Sequence, residues 1–371
     1  MWLAIIAKME TISYKKFLVK FTEDAYMHDC PVNGNFELTP LCNLDCKMCY
    51  VHLQDFSVHN SMLSGEQWIS LMQQAINHGM LHAVLTGGEA MTHPDFWKIY
   101  LYLITHGVSV RVKSNGLLIN KDAIGCFKHY PPDIIDISLY GCNSESYVAV
   151  TGVDAYERVV NNIRCVIDAG MRLRLMVTPS SYMQPWTEQI MDFAKSFGVK
   201  VVVNSLLIEP YENTHRTKAD FDLTNTEYDR IRAKREELFP LQLMTPAEEE
   251  DIYGELEKSP DVSARGLYCN AGRSTFGINW DGTMSPCLGF PRKIVCANPL
   301  HDGFAQAWMQ INKVVKDYEI PQKCHYCPIN TKCHYCPTQH SRVSHLHLCD
   351  LSICSFWENT FKNKSKKEEQ I

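Results

Sequence analysis

Short apolar runs alternate with amphipathic stretches from about residue 34 to residue 208. The runs Asn35–Thr39, His82–Leu85, Ser109–Val112, Ile134–Leu139, Arg172–Val177 and Lys200–Asn204 have strand length and are rich in Val, Ile and Leu. Between them, residues 65–78, 94–105, 119–128, 154–169 and 184–197 repeat their apolar positions at helical spacing. Ser64 and Gln67 form a capping-box pattern ahead of the first helix. Gly107, Gly170 and Gly198 stand where helices should stop. Six β-α repeats predict a parallel sheet with right-handed crossovers. Six is short of a closed eight-fold barrel, so the expected architecture is α/β, a partial (β/α)6 TIM barrel. Its chemistry should lie on the loops at the C-terminal ends of the strands.

Residues 209–262 are more polar and read as a linker with a helix at 225–238. Glu248, Glu249 and Glu250 fit a solvated helix start. Beyond residue 263 the cysteine density rises. There Asp281-Gly282 lies between two short apolar runs, a hairpin signal. The Lys362–Gln370 tail is charged, lacks apolar residues and reads as disordered. The expected division is an N-terminal extension (1–33), a barrel (34–208), a helical linker (209–262), a Cys-rich α+β domain (263–357) and a tail (358–371).

Composition narrows the function. The 371 residues hold 36 Lys+Arg and 42 Asp+Glu, a formal charge of −6, so no basic footprint for nucleic acid exists. No stretch approaches the roughly 20 apolar residues of a membrane span, and no secretory signal is legible. The expectation is a cytoplasmic chain. In that compartment 16 cysteines point to metal or cluster binding rather than disulfides.

Three of them, Cys42, Cys46 and Cys49, follow the first strand at Cys-x3-Cys-x2-Cys spacing. Three thiolates on one loop can ligate three irons of a cubane and leave the fourth open. Zinc would normally take four ligands in two separated pairs. With this spacing at this place, the sequence resembles the radical S-adenosylmethionine (radical SAM) enzymes. The resemblance implies a 4Fe–4S cluster on these thiolates, its open iron chelating SAM, and a 5′-deoxyadenosyl radical that abstracts hydrogen from substrate. Thr86-Gly87-Gly88-Glu89, after the second strand, is similar to the family's Gly-Gly-Glu motif. The resemblance assigns Gly87, Gly88 and Glu89 to SAM, the carboxylate suiting an ammonium group and the glycines allowing close backbone approach. It adds Ser114 and Asn115 after the third strand and Ser138 at the fourth, where Ser138-Leu139-Tyr140-Gly141 has Tyr140 in place of a common Asp.

The C-terminal cysteines resemble a SPASM domain, an extension named for peptide and sulfatase maturases. Cys269 and Cys287 follow Cys-x12-Gly-x4-Cys spacing, and Cys324-x2-Cys327-x5-Cys333-x2-Cys336 is followed by Cys349. The last short gap is x2 where the family pattern has x3. The resemblance implies two auxiliary 4Fe–4S clusters. Cys269, Cys287 and Cys336 would hold one, with an open iron or Cys296 as a fourth ligand. Cys324, Cys327, Cys333 and Cys349 would hold the other, with Cys354 in reserve. Cys30, Cys126, Cys142 and Cys165, with Cys296 and Cys354, otherwise read as buried small hydrophobes. His340, His345 and His347 read as surface or capping residues.

The function implied is radical oxidation or crosslinking of a ribosomal precursor peptide, with a peptide or small protein as substrate and a flavodoxin- or ferredoxin-like reductant. Fewer than 40 residues precede the first strand, so peptide recognition is expected from a separate partner protein or another surface. The alternatives are a sulfatase maturase or small-molecule oxidoreductase of the same superfamily and, in another class, a non-catalytic iron–sulfur or zinc module. No catalytic acid or base can be assigned; Glu209 and Tyr140 stand near expected strand ends.

Overall fold

The computed structural model describes residues 14–51, 61–204, 220–240, 267, 269–320 and 336. Six parallel strands follow one another in chain order: β1 (Asn33–Glu37), β2 (His82–Thr86), β3 (Ser109–Ser114), β4 (Ile134–Ser138), β5 (Leu173–Val177) and β6 (Lys200–Val203). The crossovers carry the expected helices: α2 (Gly65–Asn77), α3 (Phe96–Thr105), α4 (Lys121–His129), α6 (Tyr156–Asp168) and α7 (Thr187–Ser196). Ser64 and Gln67 cap α2 reciprocally. Gly107, Gly170 and Gly198 take left-handed φ of 76°, 69° and 67° after α3, α6 and α7. The linker helix, α8, spans Asn225–Leu238.

The predicted hairpin forms β7 (Thr275–Ile278) and β8 (Met284–Ser285). Its placement could not be read from the sequence. β7 pairs in parallel with β1, so one eight-stranded sheet runs β6-β5-β4-β3-β2-β1-β7-β8. The Cys-rich region therefore extends the barrel sheet, and the boundary drawn at residue 263 does not interrupt it. Aromatic packing shows why. Phe36 of β1 meets Trp68 of α2 edge-on at 6.0 Å and Phe276 of β7 at 5.8 Å. Phe276 in turn meets Phe304 at 5.1 Å and Trp308 at 6.2 Å, both on α9 (Phe304–Lys316).

Among the described residues, three helices of eight or more residues fall outside the periodic segments identified above: α1 (Tyr14–Met27), α5 (Ser144–Thr151) and α9. α1 ends in a Schellman turn. The Cys30 N–H reaches Ala25 O (2.8 Å), and Asp29 takes a left-handed φ of 53°. That conformation is unfavourable for a non-glycine residue, and α9 holds it. Asn312 donates to Asp29 Oδ1 (2.9 Å), Lys316 pairs with its carboxylate, and Trp308 Nε1 donates to its carbonyl (2.9 Å).

Buried parallel strands usually read as continuous apolar runs. Here they alternate, as in the Ser-Val-Arg-Val-Lys-Ser of β3. Phe36, Val110, Val112, Ile135, Ile137, Leu173 and Leu175 are buried in the core, and Phe36 shows that this is the helix side. Their neighbours along each strand face the concave side and are largely polar.

Candidate active site

The cluster loop begins where β1 ends, and backbone bonds to two neighbours fix its path. Gly88 N–H donates to Thr39 O and Glu89 N–H to Leu41 O, both at 2.8 Å. On the other side, Asp45 N–H reaches Thr151 O (2.9 Å) and Lys47 N–H reaches Val150 O (3.0 Å), at the end of α5. Gly152 then leaves α5 at φ 70°. The glycine pair has a packing role of its own. A Cβ on Gly87 would lie 2.3 Å from Thr39 O, and one on Gly88 2.4 Å from Leu41 O. The glycines let the β2 loop dock against the backbone of the cluster loop itself.

That docking sets Glu89 inside the protein. Its carboxylate accepts from Ser114 Oγ (3.0 Å), Asn115 N–H (2.7 Å) and Met91 N–H (3.2 Å). Burial pushes its pKa up to about 6, against the pull of these three donors. Asn115 continues the chain of contacts: its Nδ2 lies 2.6 Å from Asn43 Oδ1 and 3.6 Å from Cys42 Sγ. Glu89, Ser114 and Asn115, predicted from separate strand ends, thus meet beside the first cysteine. Asn43 was not foreseen, and nothing in its local sequence distinguishes it from a loop asparagine.

Cys42 is exposed at the mouth of the site and Cys46 is buried. The surrounding protein pushes the Cys42 thiol up to about 12, with Glu89 and Cys49 adding like charge. Cys46 is raised well above its ordinary value by burial, then by Cys49 and Cys42. Tyr140 hydrogen-bonds both Cys46 and Ser138, so the unusual Tyr of the fourth strand end touches one of the three thiols. Tyr50 donates to buried Glu37 (2.8 Å) and ties the end of the loop to the floor of the barrel. Crowded thiols of this kind ionise readily only when a cation takes them. The donor set therefore fits a metal–sulfur group. Among the described residues no three His, Cys, Asp or Glu side chains converge on a point that would suit a single ion.

A second thiol group lies on the hairpin side. Cys287 is pushed up to about 12 by burial and then by Cys336 and Cys269, and Cys269 is raised by burial and by Cys336. The three cysteines grouped by resemblance are thus electrostatic neighbours. Cys296 is exposed and sits against the Arg292 guanidinium. Cys324, Cys327, Cys333, Cys349, Cys354, Glu209 and the three C-terminal histidines lie outside the described residues. No described cysteine is in a disulfide. Cys142 and Cys165 pack partly into the core, whereas Cys30 and Cys126, like Cys296, are exposed rather than buried. Being on loops or on outer helix faces, they have no core to enter. The two thiol regions approach each other: Trp280, beyond β7, packs with Val51 and Cys49, and its carbonyl accepts from Leu63 N–H (2.9 Å).

A parallel sheet ringed by helices, with a three-cysteine loop at its first strand end, defines an α/β enzyme with a metal–sulfur active site. Residues 36–194 match the profile of the radical SAM superfamily. It is 24% identical over 285 residues to the antilisterial bacteriocin subtilosin biosynthesis protein AlbA of Bacillus subtilis, covering 74% of this chain and 58% of that protein. A probable GTP 3',8-cyclase of Saccharolobus islandicus is 34% identical over 135 residues, 36% of this chain and 43% of that one. The matches thus span about half the length of these curated relatives. In fold, the chain resembles Streptococcus suis SuiB bound to S-adenosylmethionine (TM-score 0.64, 16% identity, 90% of this chain and 80% of that one). It also resembles native anSMEcpe with bound AdoMet (TM-score 0.66, 15% identity, 92% and 100%). Among the described residues no helix is long and apolar enough to cross a membrane.

Proposed function

We propose that this protein is a radical SAM oxidoreductase that oxidises or crosslinks a peptide or small protein. The observation that carries the reading is the convergence of Cys42, Cys46 and Cys49 with Glu89 and Asn115 at the end of a radical SAM sheet. Cys42, Cys46 and Cys49 would hold a 4Fe–4S cluster, and Glu89, Ser114, Asn115 and Ser138 would border SAM. Bound there, cluster and SAM supply a one-electron route to a hydrogen-abstracting radical.

The chain's own residues hold that site in shape. Asn115 steadies Cys42 from the β3 loop, and Tyr140 steadies Cys46 from β4. Ser114 and two backbone N–H groups fix the Glu89 carboxylate so that it cannot swing. Gly87 and Gly88 keep the two loops in contact, and Trp280 closes the side toward the hairpin. Cys269, Cys287 and Cys336 would hold an auxiliary cluster, and Cys324, Cys327, Cys333 and Cys349 another. Such clusters give the electron left on an oxidised substrate a place to go. A flavodoxin- or ferredoxin-like reductant and a separate peptide-recognition protein complete the proposal. One solved relative in fold is SuiB bound to precursor peptide SuiA (TM-score 0.62), which favours a peptide substrate.

The test is anaerobic reconstitution followed by dithionite reduction and chromatography for 5′-deoxyadenosine, with iron counted per chain. Co-expression with candidate peptides then reads the product by mass spectrometry. A loss of two hydrogens per modification supports oxidation or crosslinking. Conversion of a single Cys or Ser side chain to an aldehyde would favour the sulfatase-maturase reading instead. Iron-replete protein that yields no 5′-deoxyadenosine refutes the enzyme reading altogether.

A further inference from the structure

The concave face of the sheet carries a row of charged residues that the SAM site does not use. Glu37 pairs in register with Thr86, Lys113 with Asp136, and Asp136 with Arg174. Leu85 pairs with Val112, so Thr86 and Lys113 stand side by side one step on. The row thus crosses five strands at one level, just inside their C-terminal ends. Arg111 lies two residues earlier on β3, on the same face.

Within this row the anions are taken and two cations are not. Asp136, buried, receives Arg174 through two bonds of 2.7 Å. Glu37, also buried, accepts from the Tyr50 hydroxyl. The Lys113 side chain has no hydrogen bond or ion pair among the described residues. Its surroundings include Asp136, Arg111, Arg174 and Glu37, so with Lys113 itself three cations face two carboxylates that are already engaged. Arg111 has its Nε buried and without a partner. The Lys113 residue nonetheless keeps accessible surface, so an incoming group can reach it from the concave side. Desolvation lowers its pKa, with Arg111 and Arg174 adding to that fall and Asp136 and Glu37 opposing it. An ammonium in that position gains most from a further anion.

We propose that Lys113 and Arg111 form the recognition site for a carboxylate of the substrate, an acidic side chain or the C-terminal carboxylate of a peptide. The inference rests on the peptide-oxidising reading above and adds an electrostatic specificity to it. A planar carboxylate fits the pair because Arg presents a fork of donors and Lys a point charge. The bound acidic group would set which residue of the peptide faces the cluster loop, since Lys113 immediately precedes Ser114 and Asn115.

SAM also bears a carboxylate, and the experiment separates the two sources. Reconstituted protein, kept oxidised so that nothing turns over, is acylated at neutral pH with a water-soluble acetyl ester, and labelling of Lys113 is read by peptide mass spectrometry. The arms are protein alone, protein with saturating SAM, and protein with SAM plus N-acetylglutamate methylamide or N-acetylglutamine methylamide. The expected result is at least fivefold protection of Lys113 by the glutamate probe over SAM alone, and none by the glutamine probe. Equilibrium dialysis of the glutamate probe should show about a tenfold weaker affinity for K113M and affinity within threefold of the parent for K113R, with circular dichroism verifying that both fold. Equal behaviour of the two probes overturns the proposal. So does full protection of Lys113 by SAM alone, which would assign the lysine to the cofactor. Protein that makes no 5′-deoxyadenosine on reduction refutes the functional reading, whereas dialysis of the glutamate probe against the parent and the Lys113 variants needs no turnover and still reports on the carboxylate site.

Discussion

The two thiol groups of this protein are built in opposite ways. Cys42, Cys46 and Cys49 lie within eight residues on one loop, and their environment is held by backbone bonds to the β2 loop and to α5. Cys269 and Cys287 flank the β7–β8 hairpin, which pairs with β1, and Cys336 joins them from farther along the chain. A local site survives as long as its loop keeps its path. An assembled site fails whenever the elements that carry its parts come apart. The contrast teaches that the first group depends on the path of one loop, while the second depends on the packing that joins hairpin to barrel.

Replacing single cysteines should break the comparison most sharply. Cys42→Ala is expected to lower 5′-deoxyadenosine formation at least a thousandfold, since it removes one of three ligands. Cys269→Ala should leave that reaction within a few-fold while product formation is lost. Chromatography of both products in single-turnover assays separates the two. If Cys269→Ala also stops 5′-deoxyadenosine formation, the division of labour fails.

Phe276→Ala probes the assembled site through its packing. Phe276 is fully buried among Phe36, Phe304 and Trp308, and such truncations cost about 3–5 kcal/mol. Urea denaturation should report that loss. Iron analysis should show the hairpin-side cluster lost before the one on the cluster loop.

The local site has its own weak point at Gly88. A Cβ there would meet the carbonyls of Leu41 and Pro40 at 2.4 and 2.6 Å, so Gly88→Ala forces the loops apart, at a cost of about 1–3 kcal/mol. Gly107→Ala meets no neighbouring atom and should cost only the roughly 1 kcal/mol of its left-handed conformation. Equal losses in the two variants, by urea midpoint, would contradict the docking role of the glycine pair.

The local site also carries a pH dependence at Glu89. Burial raises its folded pKa from 4.5 to about 6. Its contribution to stability is therefore complete below about pH 4.5 and declines as pH rises through 6. The raised value corresponds to about 2 kcal/mol across that window. Glu89→Gln should flatten this part of the stability curve of the metal-free protein. A slope that persists in the variant assigns it to other groups.

Much of the barrel was legible because its signals are local. The capping box at Ser64, the glycines after α3, α6 and α7, and the apolar runs of β1 to β6 each act over a few residues. α5 was not, because Ser-Glu-Ser-Tyr-Val-Ala-Val-Thr is short, rich in β-branched residues and almost without amphipathic pattern. Its importance lies in the two carbonyls, Val150 and Thr151, that receive the cluster loop. Arg111, Lys113, Asp136 and Arg174 interrupt apolar runs, and nothing local in those runs singles them out. Only the register shows that they form one row.

The sequence by itself determined the chemistry available: three thiols at cluster spacing, a Gly-Gly-Glu after the next strand, and a cysteine-rich C-terminal region. These depend on residue type and on separations along the chain. Tertiary structure decided what each residue touches. Glu89 meets Ser114 and Asn115, the glycines meet the backbone of the cysteine loop, and the hairpin joins the barrel sheet through Phe36 and Phe276. Such contacts arise from packing between elements far apart in sequence, where no local spacing encodes the partner.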